Sequence, residues 1–178
     1  MNSRANNRKA IDFTLVSMAA FSIEDAFIKH LSSTHSIAQI LIVIGLASAI
    51  FFAILALKNG RIIWASGLWT RLTFTRMLAE AFAGVAFVTS LSLVPLSTVA
   101  AVFQILPLTV TMGSALCLGE RVGWRGWAAI FVGFVGVLLI IKPGFEAFNP
   151  SVLLVLVAVL GIAVRDLVTR VIPDSVGS

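Results

Sequence analysis

Charge is what this sequence has least of. Asp, Glu, Lys and Arg make up 12% of its 178 residues, about half the share found in soluble domains. Hydrophobic residues fill 59%. That balance excludes an ordinary soluble domain and implies an integral membrane protein. Cysteine is nearly absent as well. Cys117 alone allows no internal disulfide and no cysteine metal cluster, and inside an apolar span it packs as a small apolar side chain. The short catalytic signatures are missing: there is no HExxH, no GxSxG, no CxxC and no phosphate-cradling glycine loop. His30 and His35 have no Asp or Glu joined to them at metal-ligand spacing. No catalytic residue, metal or cofactor is therefore expected, and the chain does not read as an enzyme. The net charge of +5 comes without a basic face interleaved with aromatics, so no nucleic-acid partner is expected. A cleavable leader is also lacking. The first apolar segment carries Glu24 and Asp25 and has no small-residue cleavage site after a clean apolar core, so the first span is expected to stay in the mature protein.

What is present is long uncharged runs. Between Glu80 and Glu120 lie 39 residues without one charged side chain, broken near the middle by Val94-Pro95-Leu96-Ser97. A bilayer core takes about 20 apolar residues per helix, so this run predicts two spans joined by a tight turn, a helical hairpin in a membrane. Pro107 falls inside the second arm and predicts a kink, because a proline mid-span is tolerated where neighbours, hydroxyls or water take up the freed carbonyl. The whole chain reads as an all-α polytopic bundle of six helices, at about 11–29, 38–57, 77–94, 97–118, 126–141 and 150–172, after a polar tail at 1–10 and before a tail at 173–178. Lys142-Pro143-Gly144 is a stop of the expected kind, and Pro150 suits a first helical position.

Orientation follows from counting basic residues. With the N-terminus in the cytoplasm, one side collects Arg4, Arg8, Lys9, Lys58, Arg61, Arg71, Arg76, Arg121, Arg125, Arg165 and Arg170, eleven of the thirteen. The opposite side keeps Lys29 and Lys142. Both termini are therefore expected in the cytoplasm. Trp64, Trp69, Trp124 and Trp127 fall on or beside the same links, where indole rings favour the interface.

A run of small residues, then Pro107, then Leu118-Gly119-Glu120-Arg121, Trp127, Gly133, Gly136-Val137 and Lys142-Pro143 resembles the repeat unit of the EamA-type drug/metabolite transporters. The resemblance implies that 11–144 is a five-helix repeat and 150–172 the first helix of a truncated second one, part of a ten-helix inverted-repeat architecture. It also implies a permease in a bacterial inner (plasma) membrane. Such a protein moves a small organic solute or metabolite by alternating access, coupled to a proton or another cation. An internal echo agrees with this: at an offset of 141, Asp25 falls on Asp166 and Lys29 on Arg170, and an odd-span repeat inserts upside down. The other reading is a non-transporting membrane subunit that needs a missing second half, a second copy in a homodimer, or a partner. The basic residue that relatives carry in the second helix has no counterpart in 38–57, where Gln39 and Ser48 are the hydrogen-bonding side chains.

The candidate residues divide by charge. Glu24 and Asp25 lie inside the first span, where an ionised group costs at least about 2.5–3.5 kcal/mol and usually has a task. Glu24 reads either as a proton or cation site or as a snorkelling carboxylate, while Asp25 is expected to pair with Lys29 at i, i+4. Arg76 and Glu80 read as a second such pair, and Glu120 and Arg121 as a charged stop that would also serve to latch an inward gate. The uncharged pathway candidates are Ser90, Thr98, Gln104 and Pro107, with Gln104 the leading one, since Ala100 and Ala101 a turn earlier leave room beside it.

Overall fold

The computed structural model describes residues 2–59, 69–142 and 148–172, with backbone alone for 2–9. Arg61, Trp64, the Pro143-Gly144 stop and the tail at 173–178 lie outside the described residues. The elements run α1 Asn2–Leu31, α2 Ile37–Lys58, α3 Arg71–Leu93, α4 Leu96–Phe103, α5 Leu106–Cys117, α6 Trp124–Ile141, a 3-10 turn at Pro150–Val152, and α7 Leu153–Val171. No strand occurs among the described residues. Five units are long and apolar enough to cross a membrane, with α4 and α5 together forming one of them. The sixth, α1, carries Asp12, Glu24, Asp25 and Lys29 and is not among the five.

Several boundaries differ from the sequence reading, each for a local reason. The expected tail at 1–10 is helical from Asn2, since extending a nucleated helix adds a hydrogen bond per residue and the segment holds no Pro or Gly. α3 begins at Arg71 rather than 77, because the Thr70 hydroxyl accepts from the Thr73 N–H at 3.2 Å and caps the first turn. Gln39, read as a bilayer hydrogen-bonding side chain, is spent on a reciprocal cap: Ser36 Oγ accepts from the Gln39 N–H at 3.3 Å, and Gln39 Oε1 accepts from the Ser36 N–H at 3.1 Å. The helix expected at 97–118 is two helices. Pro107 has no N–H to give the Phe103 carbonyl, the ladder tightens so that the Ile105 N–H reaches Val102 O at 3.2 Å, and the break falls at Gln104 and Ile105.

Small residues set the packing. α3 and α7 lie against each other along most of their length. A Cβ on Gly161 would stand 2.8 Å from Ala83 Cβ and 3.2 Å from Ala83 Cα, so the two backbones approach as closely as a glycine allows. Ala83, Ala86, Ala158 and Ala163 are buried beside it, as expected where helix association in lipid relies on close van der Waals contact. α5 packs on α7 through Gly113 and Leu167, and on α6 through Leu108 and Gly133. α7, expected as the opening helix of a second repeat, is thus a central element of this bundle. α1 and α2 are peripheral: α2 buries only Ile40, and its apolar side chains face outward, which lipid rewards.

Candidate functional site

Two polar clusters close opposite ends of the bundle, and the broken α4–α5 helix runs between them. At the first end, the carbonyls at the C-terminus of α3 have no intrahelical donors, because the chain turns at Val94 and Pro95. Lys29 supplies them: its ammonium donates to Val94 O at 2.9 Å and Ser92 O at 3.4 Å. Asn149 Nδ2 donates to Leu93 O at 3.5 Å. A cation beside a helix C-terminus is further favoured by the macrodipole. The expected Asp25–Lys29 ion pair does not occur. Those three carbonyls need a donor more than a half-exposed carboxylate does.

At the second end the charges pair between helices. Arg165 donates to both Glu80 oxygens at 2.9–3.0 Å and bonds Asp166 at 2.8 Å. Arg76 Nε donates to Thr169 Oγ1 at 2.9 Å. Arg170 donates to Ser114 Oγ at 2.9 Å and to Glu120 at 3.1 Å. The expected Arg76–Glu80 pair is therefore replaced by three bonds between α3 and α7, two on Glu80 and one from Arg76, and Glu120 is held by Arg170. Arg121 makes no ion pair or hydrogen bond among the described residues and is exposed. The local spacing was right, but α7 brings better-placed partners. Gly119 takes a left-handed conformation with φ +70°, which turns the chain after α5 and lets the Glu120 N–H reach Ser114 O at 3.3 Å. Arg165, Asp166, Thr169, Arg170 and Ser114 were absent from the sequence-derived set. The Asp-x-x-x-Lys/Arg echo marked two of their positions, but as a repeat and not as a contact.

Of the uncharged candidates, Ser90 is fully buried, and its hydroxyl donates to Phe87 O of its own helix at 2.7 Å. Thr98 is half-buried, and Gln104 and Pro107 are exposed. The outward face of α4–α5 is Ser97, Ala100, Gln104, Pro107 and Thr111. From Val94 to Ala115 no large hydrophobic side chain is exposed, and along α4–α5 only Leu116, in the last turn of α5, is, whereas α1, α2, α3, α6 and α7 each expose several. Glu24 is exposed on α1, and Asp25 is half-buried beside it. The structure therefore joins Lys29 to the α3 terminus and Glu80 and Glu120 to α7, while Glu24 and Gln104 stay apart from both clusters. Among the described residues no group of three His, Cys, Asp or Glu side chains stands together as a metal site.

The profile of the EamA-like transporter family matches residues 8–142. The chain belongs to that family. The EamA-like chain is similar to the S-adenosylmethionine uptake transporter of Rickettsia bellii, at 31% identity over 80 residues, 45% of this chain and 28% of that protein. It is also similar to the riboflavin transporter of Rhizobium johnstonii, at 32% identity over 102 residues, 57% of this chain and 33% of that protein, and to that of Vibrio cholerae, at 44% over 48 residues, covering 27% and 16%. The matched stretches thus span about a third or less of these relatives' length. No solved structure matches. The family and the relatives' names describe transporters, not enzymes. α7 lies beyond the family match, yet its Arg165 and Arg170 bind Glu80 and Glu120 within it.

Proposed function

We propose that this chain forms part of the solute pathway of a small-molecule transporter that works by alternating access and draws on a proton or cation gradient. The observation that carries the reading is the outward face of α4–α5. It offers Ser97, Gln104 and Thr111 around a helix break, and its one exposed large apolar side chain, Leu116, lies away from the break in the last turn of α5. A lipid-facing helix gains nothing from such a face, whereas broken helices with free backbone and neutral hydrogen-bonding groups suit a transport site. The pathway then runs among α1, α3 and α4–α5, with Gln104 contacting the solute, Thr98 and Pro107 shaping the wall, and Ser90 bracing α3. Glu24 serves as the ion-coupling carboxylate, because it lies inside the apolar stretch of α1 and, like Asp25 beside it, has no ion pair among the described residues. The relatives' names support a small organic metabolite as the cargo. The basic residues gathered on one side support an inner-membrane protein with both termini in the cytoplasm.

The test is uptake into proteoliposomes with and without an imposed proton gradient, using S-adenosylmethionine and riboflavin as first probes. Glu24→Gln is expected to abolish gradient-driven uptake while insertion is unchanged. Gradient-driven flux equal to that of the parent protein would remove Glu24 as the coupling site. A second reading rests on the same open face: a membrane subunit whose α4–α5 wall is completed by a second copy or another polypeptide. Flux seen only after co-reconstitution with that partner would favour it.

A further inference from the structure

The half-helix α5 is joined to the rest of the bundle in an uneven way. At its N-terminal side the chain is broken at Gln104 and Ile105, where Pro107 removes a ladder bond. Along one flank Leu108 packs over Gly133 of α6, and only the link 118–123 separates α5 from α6 in the chain. Along the other flank Leu167 of α7 fills the space over Gly113. At the far end of that seam, Arg170 alone bonds both the Ser114 hydroxyl of α5 and the Glu120 carboxylate just beyond it. α7 itself has no such freedom against α3, because Gly161 and Ala83 are in backbone contact and Arg165 and Thr169 hold Glu80 and Arg76.

We propose that Arg170 is a positioning residue that clasps a rocking unit: α5 with α6 pivots at the Gln104 break and parts from a rigid α3–α7 pair when the Arg170 bonds open. The assignment rests on the transport reading for what the movement serves, though not for whether it occurs. Ser114 is fully buried and its hydroxyl accepts from Arg170 at 2.9 Å. Parting the seam therefore strands a buried hydroxyl, and the clasp biases the seam toward closed. The remaining charges of the cluster lie on α3 and α7 and stay paired as the seam opens. The polar cost of movement is thus confined to Arg170, Ser114 and Glu120, beside the loss of the Leu167 packing over Gly113.

The experiment uses the 178-residue chain in membrane vesicles with Cys117→Ser as background and one reporter thiol at a time. Leu167→Cys reads the α5–α7 seam and Ala79→Cys, whose backbone faces Gly161, reads the α3–α7 interface, each by its rate of reaction with a membrane-impermeant methanethiosulfonate. In Arg170→Gln the seam thiol is expected to react about tenfold faster, as losing a charge-assisted bond of ordinary strength implies, while the Ala79→Cys rate is unchanged. The exchange Arg170→Glu with Glu120→Arg is expected to bring the seam rate back. Arg170→Lys, which keeps the charge without the two-pronged donor, is expected to fall between and serves where Arg170→Gln fails to accumulate. An unchanged seam rate, or equal acceleration at both reporters, would overturn the clasp. Labelling needs no solute, so its failure leaves the transport reading standing, and an absence of flux leaves the clasp standing.

Discussion

Gly161 is where the bundle is most exposed to a single methyl group. A Cβ there would meet Ala83 Cβ at 2.8 Å, Ala83 Cα at 3.2 Å and Ala79 O at 3.3 Å, against an ordinary carbon–carbon separation of about 3.5–4.0 Å. Two of the three atoms are backbone, so no rotamer relieves the contact, and α3 and α7 must separate by roughly 0.5–1 Å. Overpacking of this kind costs about 1–3 kcal/mol. Replacing a helical glycine by alanine gains about 1 kcal/mol in propensity. The clash wins at Gly161, because separating the helices also loosens Val155, Ala158 and Val159, all at most 1% exposed. With the overpacking cost in the upper part of that range, about 2–3 kcal/mol, Gly161→Ala is expected to lose about 1–2 kcal/mol net. Gly136 supplies the control, since nothing lies within 4 Å of a Cβ built there. Gly136→Ala keeps the propensity gain and is expected to be neutral or stabilising by up to about 1 kcal/mol. Both are measured by titrating SDS into mixed micelles and following helix content. Opposite signs are expected, and a Gly161→Ala variant as stable as its parent would refute the close α3–α7 approach.

Three further outcomes follow from the polar clusters. Lys29→Met leaves the Ser92 and Val94 carbonyls without their donor and is expected to destabilise by about 1–3 kcal/mol in the same titration; an unchanged midpoint would mean that water or lipid headgroups replace the ammonium. Arg165→Leu leaves Glu80 and Asp166 uncompensated and is expected to cost more than Arg165→Leu combined with Glu80→Gln and Asp166→Asn, a ranking read from the three midpoints. Gln104→Leu is expected to leave the midpoint within about 0.5 kcal/mol, since the side chain is exposed, while uptake falls; unimpaired uptake would remove Gln104 from the pathway.

The sequence made the spans legible because charge is excluded from hydrocarbon. The run between Glu80 and Glu120, the turn at Val94 and Pro95 and the kink announced by Pro107 all stand in the structure. Hydropathy reports membrane depth and not helix ends, which is why Asn2–Leu31 and Arg71–Leu93 outrun their expected limits. Thr70 was a readable cap for the second of these. Partners were the least legible feature. Arg76 with Glu80 and Asp25 with Lys29 sit at ideal helical spacing, yet an i, i+4 pair contributes only about 0.2–0.5 kcal/mol, and bare carbonyls or a two-pronged arginine on a neighbouring helix outcompete it. Arg165 and Arg170 entered the sequence reading as topology markers. Nothing local in the sequence says that they face Glu80 and Glu120. The outward exposure of Gln104 was equally hidden, since it depends on which side of α4 the other helices occupy.

The pairing of Glu80 with Arg165 spans 85 residues of sequence, and that of Glu120 with Arg170 spans 50. Translation proceeds at about 5–20 residues per second, so roughly 4–17 s pass between the synthesis of Glu80 and that of its cation Arg165. Through that interval the acid lacks its cation, and the close-packed seam that will hold α3 does not yet exist. α7, made after α3 and α5, therefore sets when this part of the bundle can mature. A nascent chain interrupted ahead of Leu153 would present an unneutralised carboxylate and an uncovered row of small residues to the quality-control proteases of the membrane.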